Sequence, residues 1–343
     1  MRDVAERCGV SESTVSHVLN RTKSVSPEVR EKVLRAIQEM NYHRDSHARR
    51  LASGRSDFLG LIISDIENPF FPGLIKSFET AALAAGFQVL LCATNYDGER
   101  TANAFRTMIE NKSPGVAVMT SQVDPKTART LSEHRVASVF LESGVPGSLK
   151  SNIRMDYRKG AAEAVRYLHN LGHRDFALVA GPQDRASHAA YRKAVSKALG
   201  DVGLKPRIIE GNNDVATGEQ AVQRLMTTGA FPTAILCSND LTAMSTTRAV
   251  FKCGMRVPQD VSVIGADDIP FAALTEPPLT TVRMPRDRLG TLAVEMLRRL
   301  IDDPDQVGVE VLVETDLVIR NSTGLARTLE IAPPGRRSKR RPS

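Results

Sequence analysis

From Phe58 onward, short continuous apolar runs alternate with longer stretches that carry apolar residues at helical spacing. The apolar runs lie at residues 58–64, 87–93, 115–120, 137–141, 176–180, 234–237 and 261–265. The helical stretches lie at 74–85, 100–111, 157–171, 187–199, 218–228 and 241–253. A strand that is apolar on both faces must be covered on both faces. Strands alternating with helices are therefore expected to form a doubly wound parallel sheet. Roughly 270 residues is long for one hydrophobic core, so two similar lobes are expected. No short sequence repeat interrupts the pattern.

The first 42 residues follow different rules. Residues 3–7 are helical in character, and Gly9 breaks the run because it reaches φ > 0 without strain. Ser11 stands as an N-cap for a helix over 12–19. Ser26 followed by Pro27 opens a third helix, with Val29, Val33, Ile37 and Met40 on one face. On the second helix Val15, Val18 and Leu19 make an apolar stripe. Ser13, Ser16, His17 and Asn20 make a polar one. Two short helices around a four-residue turn form a helix-turn-helix, whose second helix enters the major groove of DNA. The alternative is a small helical hairpin with a solvated face.

Charge supports contact with a polyanion at the ends of the chain. The net charge is +7. Residues 1–55 hold 11 basic and 7 acidic side chains, and residues 331–343 hold 5 basic and none acidic. The long middle is thus slightly acidic, which places the positive field on small parts of the molecule. Residues 43–57 read as a polar, basic linker, and the Pro-rich basic tail reads as disordered.

Cys8, Cys92, Cys237 and Cys253 are far apart and form no metal or redox spacing. With no signal core and no apolar stretch of about 18–20 residues, a soluble protein of the reducing cytoplasm is expected. No phosphate loop, dinucleotide fingerprint, zinc-protease motif or nucleophile elbow is present. No catalytic residue, metal or cofactor is therefore expected.

The segments AERCGVSESTVSHVLN, VSPEVREKVLRAIQEMNY, ARRLASGRS, ENPFF, LGHRDFALVAGP, SNDLTAM and GMRVPQDVSVIGADDIPFAALTEPPLTTV resemble the LacI/GalR family of bacterial transcription regulators, and the likeness runs to about Leu325. It implies a helix-turn-helix head at 1–43 and a hinge helix or linker at 44–57. It further implies a two-lobed, periplasmic-binding-protein-like effector and dimerisation domain at 58–326, with a basic tail at 327–343 beyond it. The function implied is a sequence-specific repressor whose operator affinity a small molecule controls, a sugar or related metabolite. A transporter's solute-binding protein and an enzyme on the same scaffold are the alternatives.

By the same resemblance, Glu12, Ser13 and His17 read base edges, and Thr14, Ser16 and Asn20 contact phosphates or support the helix. Many members carry Arg where His17 stands, so the two-pronged grip on guanine is missing. The hinge would insert Leu51 into the minor groove as a wedge, with Ala48 on the same face. Arg44 and Asp45 stand where members often have Pro and Asn. The effector site would draw on Asp65, Asn68, Phe70, Phe71, Arg185, Ser187, Asn213, Asn239, Asp240 and Asp267. Asp267 is the first choice to bind ligand hydroxyls, whereas Phe70 also suits a core position and Asp240 a helix cap. Tyr191 replaces an Arg common in the family. Apolar faces at 78–85 and 289–300 suit a homodimer on a pseudo-palindromic operator.

Overall fold

The computed structural model describes residues 1–20, 23–42, 56–120 and 123–327, and of Asn20 only the backbone. The chain forms two compact units, Met1–Ser56 and Asp57–Ser343. The hinge positions Ala48 and Leu51, and the tail beyond Arg327, lie outside the described residues.

The first unit holds α1 (Arg2–Cys8), α2 (Glu12–Asn20) and α3 (Pro27–Glu39). Gly9 ends α1 at φ 61, a left-handed cap that suits glycine. Ser11 Oγ accepts from the Thr14 amide at 3.2 Å and Ser26 Oγ from that of Val29 at 3.4 Å, capping the next two helices. Val4, Ala5, Cys8, Val15, Val18, Val33 and Ala36 close the core. Ala5 is small enough to let the helices cross. Met40, expected on the buried face, is exposed because α3 ends one residue earlier and Ala36 takes the inward position.

The second unit begins with β1 (Phe58–Ile63), α4 (Phe70–Ala84), β2 (Gln88–Ala93), α5 (Gly98–Glu110), β3 (Gly115–Met119), α6 (Pro125–Glu133), β4 (Ala137–Leu141) and β5 (Lys150–Asp156). The chain then continues through α7 (Tyr157–Asn170), β6 (Phe176–Ala180), α8 (Ala186–Asp201), β7 (Arg207–Glu210), α9 (Val215–Thr227), β8 (Ala234–Cys237), α10 (Asp240–Lys252), β9 (Ser262–Asp267) and β10 (Thr280–Arg283). Finally come α11 (Arg286–Asp302), β11 (Glu310–Glu314) and β12 (Asp316–Val318).

These strands build two six-stranded sheets of matching order, β11-β5-β4-β3-β1-β2 and β12-β10-β9-β8-β6-β7. All pairs are parallel except β10 with β12. Helix α11 returns to the first sheet and packs on α4, where Leu74 and Phe78 meet Leu289, Ala293 and Leu297 in one core. The apolar residues expected to face a partner at 289–300 are thus largely buried within the chain, while Leu83 of the 78–85 stretch stays exposed.

The chain crosses between the sheets three times, after β5, after β10 and after β11. The crossings are tied together. Thr315 donates its amide and hydroxyl to the Asp156 carbonyl at 3.2 and 3.0 Å, and the Leu317 amide donates to Glu163 at 2.9 Å. Gly160 is required where they pass, because a Cβ there would lie 2.5 Å from Val282 and 2.7 Å from Thr315.

The α4–α11 crossing depends on Gly290, where a Cβ would meet the Phe78 amide nitrogen at 2.5 Å and the Leu74 carbonyl at 2.8 Å. Both obstacles are backbone, so neither can rotate away. Gly290→Ala is expected to lower stability by about 1–3 kcal/mol in urea unfolding. Gly200→Ala, which meets nothing within 4 Å, is the control and should not destabilise. Equal stability of the two variants would contradict this packing.

Candidate functional site

In the head, Ser11 Oγ lies 2.7 Å from Ser13 Oγ and 2.9 Å from Thr14 Oγ1, so hydroxyls knit the entrance of α2. Glu12 and Ser13 are exposed at that entrance, and Ser16 and His17 are half-buried further along. This is an N-terminal helix end with polar side chains turned to solvent, as a groove-reading helix requires.

In the second unit, a cavity of about 90 Å³ lies where the carboxyl ends of both sheets converge. Ser64 follows β1, Tyr96 follows β2, Met119 ends β3, Glu142 follows β4 and Met155 lies at the end of β5. From the other sheet come Asn213 beyond β7, Ser238 and Asn239 beyond β8, Asp267 at the end of β9 and Met284 beyond β10. In open α/β sheets this crevice is the ordinary place for a ligand.

Of the residues expected from sequence, Asn68, Phe70, Phe71, Ser187, Tyr191, Asn213, Asn239 and Asp267 line this cavity. Three do not. Asp65 turns aside, accepting the Glu67 amide at 2.8 Å. Arg185 stacks its guanidinium 3.6 Å from the centre of the Tyr96 ring, so it touches a wall residue rather than the cavity. Asp240 is 0 % exposed. Its oxygens accept from the Ile269 amide at 2.8 Å and the Thr281 hydroxyl at 2.5 Å. It holds the β9 and β10 ends together, and its placement in the effector site is corrected accordingly. Tyr191, in contrast, packs edge-on against Tyr157 with ring centres 5.9 Å apart, filling the wall.

Sequence reading missed Tyr96, Glu142, Tyr157 and His188. One signal was available. Ser64, Glu142 and Ser238 are each the first polar residue after an apolar strand.

Backbone strain gathers here. Tyr96 (φ 59), Glu142 (φ 63), Asn213 (φ 68) and Asp267 (φ 114) all take positive φ, which costs a non-glycine residue about 1–3 kcal/mol. Asp267 is the most displaced of the four and is 7 % exposed. Its neighbour Asp268 anchors it, pairing with Arg320 at 2.6 Å and accepting at its carbonyl from Arg286. The Arg286 side chain lies on the first turn of α4, beside Gly73. It therefore links the Asp267 corner to the helix that carries Phe70 and Phe71.

Burial dominates the electrostatics. It holds the Asp267 carboxyl well above the usual range, the Asp240 charge adding to the rise and Arg286 opposing it. It pushes Glu142 up to about 7 and His188 down to about 4. His188 is thus neutral. No group of three or more metal-ligating side chains is found among the described residues.

Residues 1–45 match the family described as bacterial regulatory proteins of the lacI family, and residues 165–323 match the periplasmic binding protein-like domain. A transcriptional repressor named PurR from Erwinia tasmaniensis is 33% identical over 327 residues, 94% of this chain and 96% of that protein. The chain belongs to the LacI family of bacterial transcription regulators. The PurR of Pasteurella multocida is 30% identical, covering 94% of this chain and 98% of the relative. Among solved structures, the lac repressor dimer bound to operator and the anti-inducer ONPF matches with TM-score 0.84 and 29% identity over 94% of this chain and 98% of that one. The regulator CelR with cellobiose matches at TM-score 0.71 and 28% identity, covering 93% and 98%. This LacI-family chain is accordingly a DNA-binding, effector-controlled transcriptional repressor and not an enzyme.

Glu142 offers a test of the cleft's electrostatics. Its folded value of about 7 exceeds the ordinary 4.5, so the folded state keeps a proton that the unfolded chain has released between those values. Its contribution to stability is full below pH 4.5 and is lost as pH rises through 7. Glu142→Gln removes that loss. Its melting temperature relative to wild type should rise between about pH 5 and about pH 8. A difference that does not change with pH would contradict a buried, titrating Glu142.

Proposed function

We propose that the cleft between the two sheets is the effector site of this repressor, and that effector occupancy is transmitted to DNA through a homodimer. The observation that carries this reading is the convergence of the strand carboxyl ends on one cavity, with Asp267 held there against its backbone preference. The effector is a compact polar metabolite such as a sugar. The regulator CelR, solved as a complex with cellobiose, supports that class.

Glu12, Ser13 and His17 read base edges in this proposal, and Thr14, Ser16 and Asn20 contact phosphates or support the helix. Ala48 and Leu51 belong to the hinge, Leu51 as the minor-groove wedge. The four units are the head at 1–43, the hinge at 44–57, the sensor at 58–326 and the basic tail.

One head reads half a site, so the operator is pseudo-palindromic and the repressor a homodimer. A groove of about 400 Å³ on the second lobe, lined by Val215, Leu241, Met244 and Phe251, supports an interface there. Phe251 is 43 % and Leu274 78 % exposed beside it. No helix among the described residues is long and apolar enough to cross a membrane. The cytoplasm is the compartment we propose, and the repressor relatives support it.

Thermal unfolding of the full chain against sugars, sugar acids and nucleobases tests the site. A binder raises the melting temperature by mass action, and Asp267→Ala is expected to abolish the shift. A shift that survives would sink the site. Leu51→Ala should weaken operator binding at least ten-fold while leaving that shift intact. Unchanged operator affinity would remove the wedge.

A further inference from the structure

This inference rests on the cleft being the effector site. Two amide side chains on its wall, one from each lobe, are turned the same way round. Asn68 Oδ1 accepts the Phe70 amide at 3.0 Å, and Asn213 Oδ1 accepts the Ser238 hydroxyl at 2.6 Å. Both oxygens are engaged within the protein, so the –NH2 end of each is left over. Neither –NH2 group has a partner among the described residues, and both residues line the cavity. Asn239 is engaged at both ends, donating to the Asn213 carbonyl at 3.1 Å and accepting the Thr242 amide at 2.8 Å.

The hydroxyls follow the same rule. Tyr191 lines the cavity, is 3 % exposed and has no partner for its hydroxyl. Ser187 lies one turn earlier on the same face of α8 and also lines the cavity. The Ala189 amide closes the first turn of α8 on the Arg185 carbonyl at 3.1 Å, and no side chain caps the amides before it. With Ser187 and His188 on the wall, the positive end of this helix borders the cavity.

Two guanidiniums stand just behind the wall. Arg185 lies 3.6 Å from the centre of the Tyr96 ring, and Tyr96 lines the cavity. Arg286 lies beside Gly73 on the first turn of α4 and opposes the rise of the Asp267 carboxyl. Arg185 Nε and Arg286 Nη1 are both buried without a partner. Charge this poorly solvated acts strongly over a few ångströms. The acids on the wall do not cancel it. Burial drives Asp267 and Glu142 toward their protonated forms, in which each carries an O–H donor.

We propose that the effector carries a carboxylate, seated at the start of α8 where Ser187 and Tyr191 donate to it, and that the –NH2 groups of Asn68 and Asn213 donate to further acceptors on the same molecule. The wall is rich in unengaged donors, and a carboxylate is an acceptor at every lone pair. Its single charge is balanced at short range by Arg185 and Arg286. A phosphate dianion would need a cation in direct contact, and neither Lys nor Arg lines the cavity. A neutral parent compound leaves buried donors unpaired and is rejected for that reason.

The test is a matched panel titrated into the full-length protein by calorimetry. Glucose is set against gluconate, glucuronate and glucose 6-phosphate, galactose against galacturonate, and uracil against orotate. A compound counts as a cleft ligand when Asp267→Ala, shown by circular dichroism to stay folded, loses it. The expected result is a carboxylate that binds about ten-fold or more tightly than its neutral parent. Tyr191→Phe deletes an unpaired hydroxyl and is expected to stay folded. It should weaken the carboxylate about ten-fold and change the parent little. Arg185→Gln should narrow the gap further. A neutral parent that binds at least as tightly as its carboxylate, and is lost in Asp267→Ala, overturns the carboxylate while leaving the cleft as the effector site. A phosphate that outbinds the carboxylate overturns it as well, as does a panel in which no carboxylate binds. Ligands untouched by Asp267→Ala overturn the cleft reading itself.

Discussion

Three crossings of the main chain between the sheets, at 156–157, 283–286 and 314–316, determine nearly everything else in the second unit. They run side by side and are fastened by Thr315, Leu317 and Glu163. Each sheet is therefore completed by a strand that arrives from the other one, β11 in the first and β12 in the second. Neither lobe is covalently independent. The carboxyl ends of both sheets are left facing one cavity, and a ligand there contacts both halves at once. Closure and opening about three strands is the ordinary hinge motion of such an architecture.

The cavity is where the structure departs from local preference. Four wall residues hold positive φ, and one of them, Asp267, is a buried carboxylate. Asp240 close by is matched instead, joining the Ile269 amide to the Thr281 hydroxyl. Conflict between local and global preference tends to collect at functional sites. The link from this corner to the first lobe is physical and short. Asp267 is followed by Asp268, whose carbonyl accepts from Arg286, and Arg286 rests on the first turn of α4. A ligand that moves Asp267 thus bears on the α4–α11 pair of the first lobe.

Much of this fold could be read from the sequence because its central strands are apolar on both faces. β1, β3, β4, β6, β8 and β9 stand out as unbroken runs. β7 and β12 did not, since they are short edge strands with polar or half-exposed faces. β5 and β11 alternate charged with apolar residues, Arg154 in one and Glu310, Glu314 in the other, and so lack the run. Most expected cleft residues do converge, because their places follow strand ends. Asp240 shows the limit. A carboxylate just after a strand turns to a ligand in one fold and to a backbone amide in another, and sequence spacing is the same in both cases. Glu142 shows the reverse, since its chemistry becomes visible only when β4 and β5 bury it.

In the proposed mechanism, one cleft and one DNA-reading head share a single free energy. Coupling of that kind is reciprocal at equilibrium. The direct measurement is a closed cycle by calorimetry and operator titration, using a compound that fills the cleft. Operator affinity is taken with and without that compound, and the compound's affinity with and without operator. Both are expected to change by the same factor, and the factor collapses to one in Asp267→Ala. An operator affinity that ignores a fully occupied cleft would contradict it.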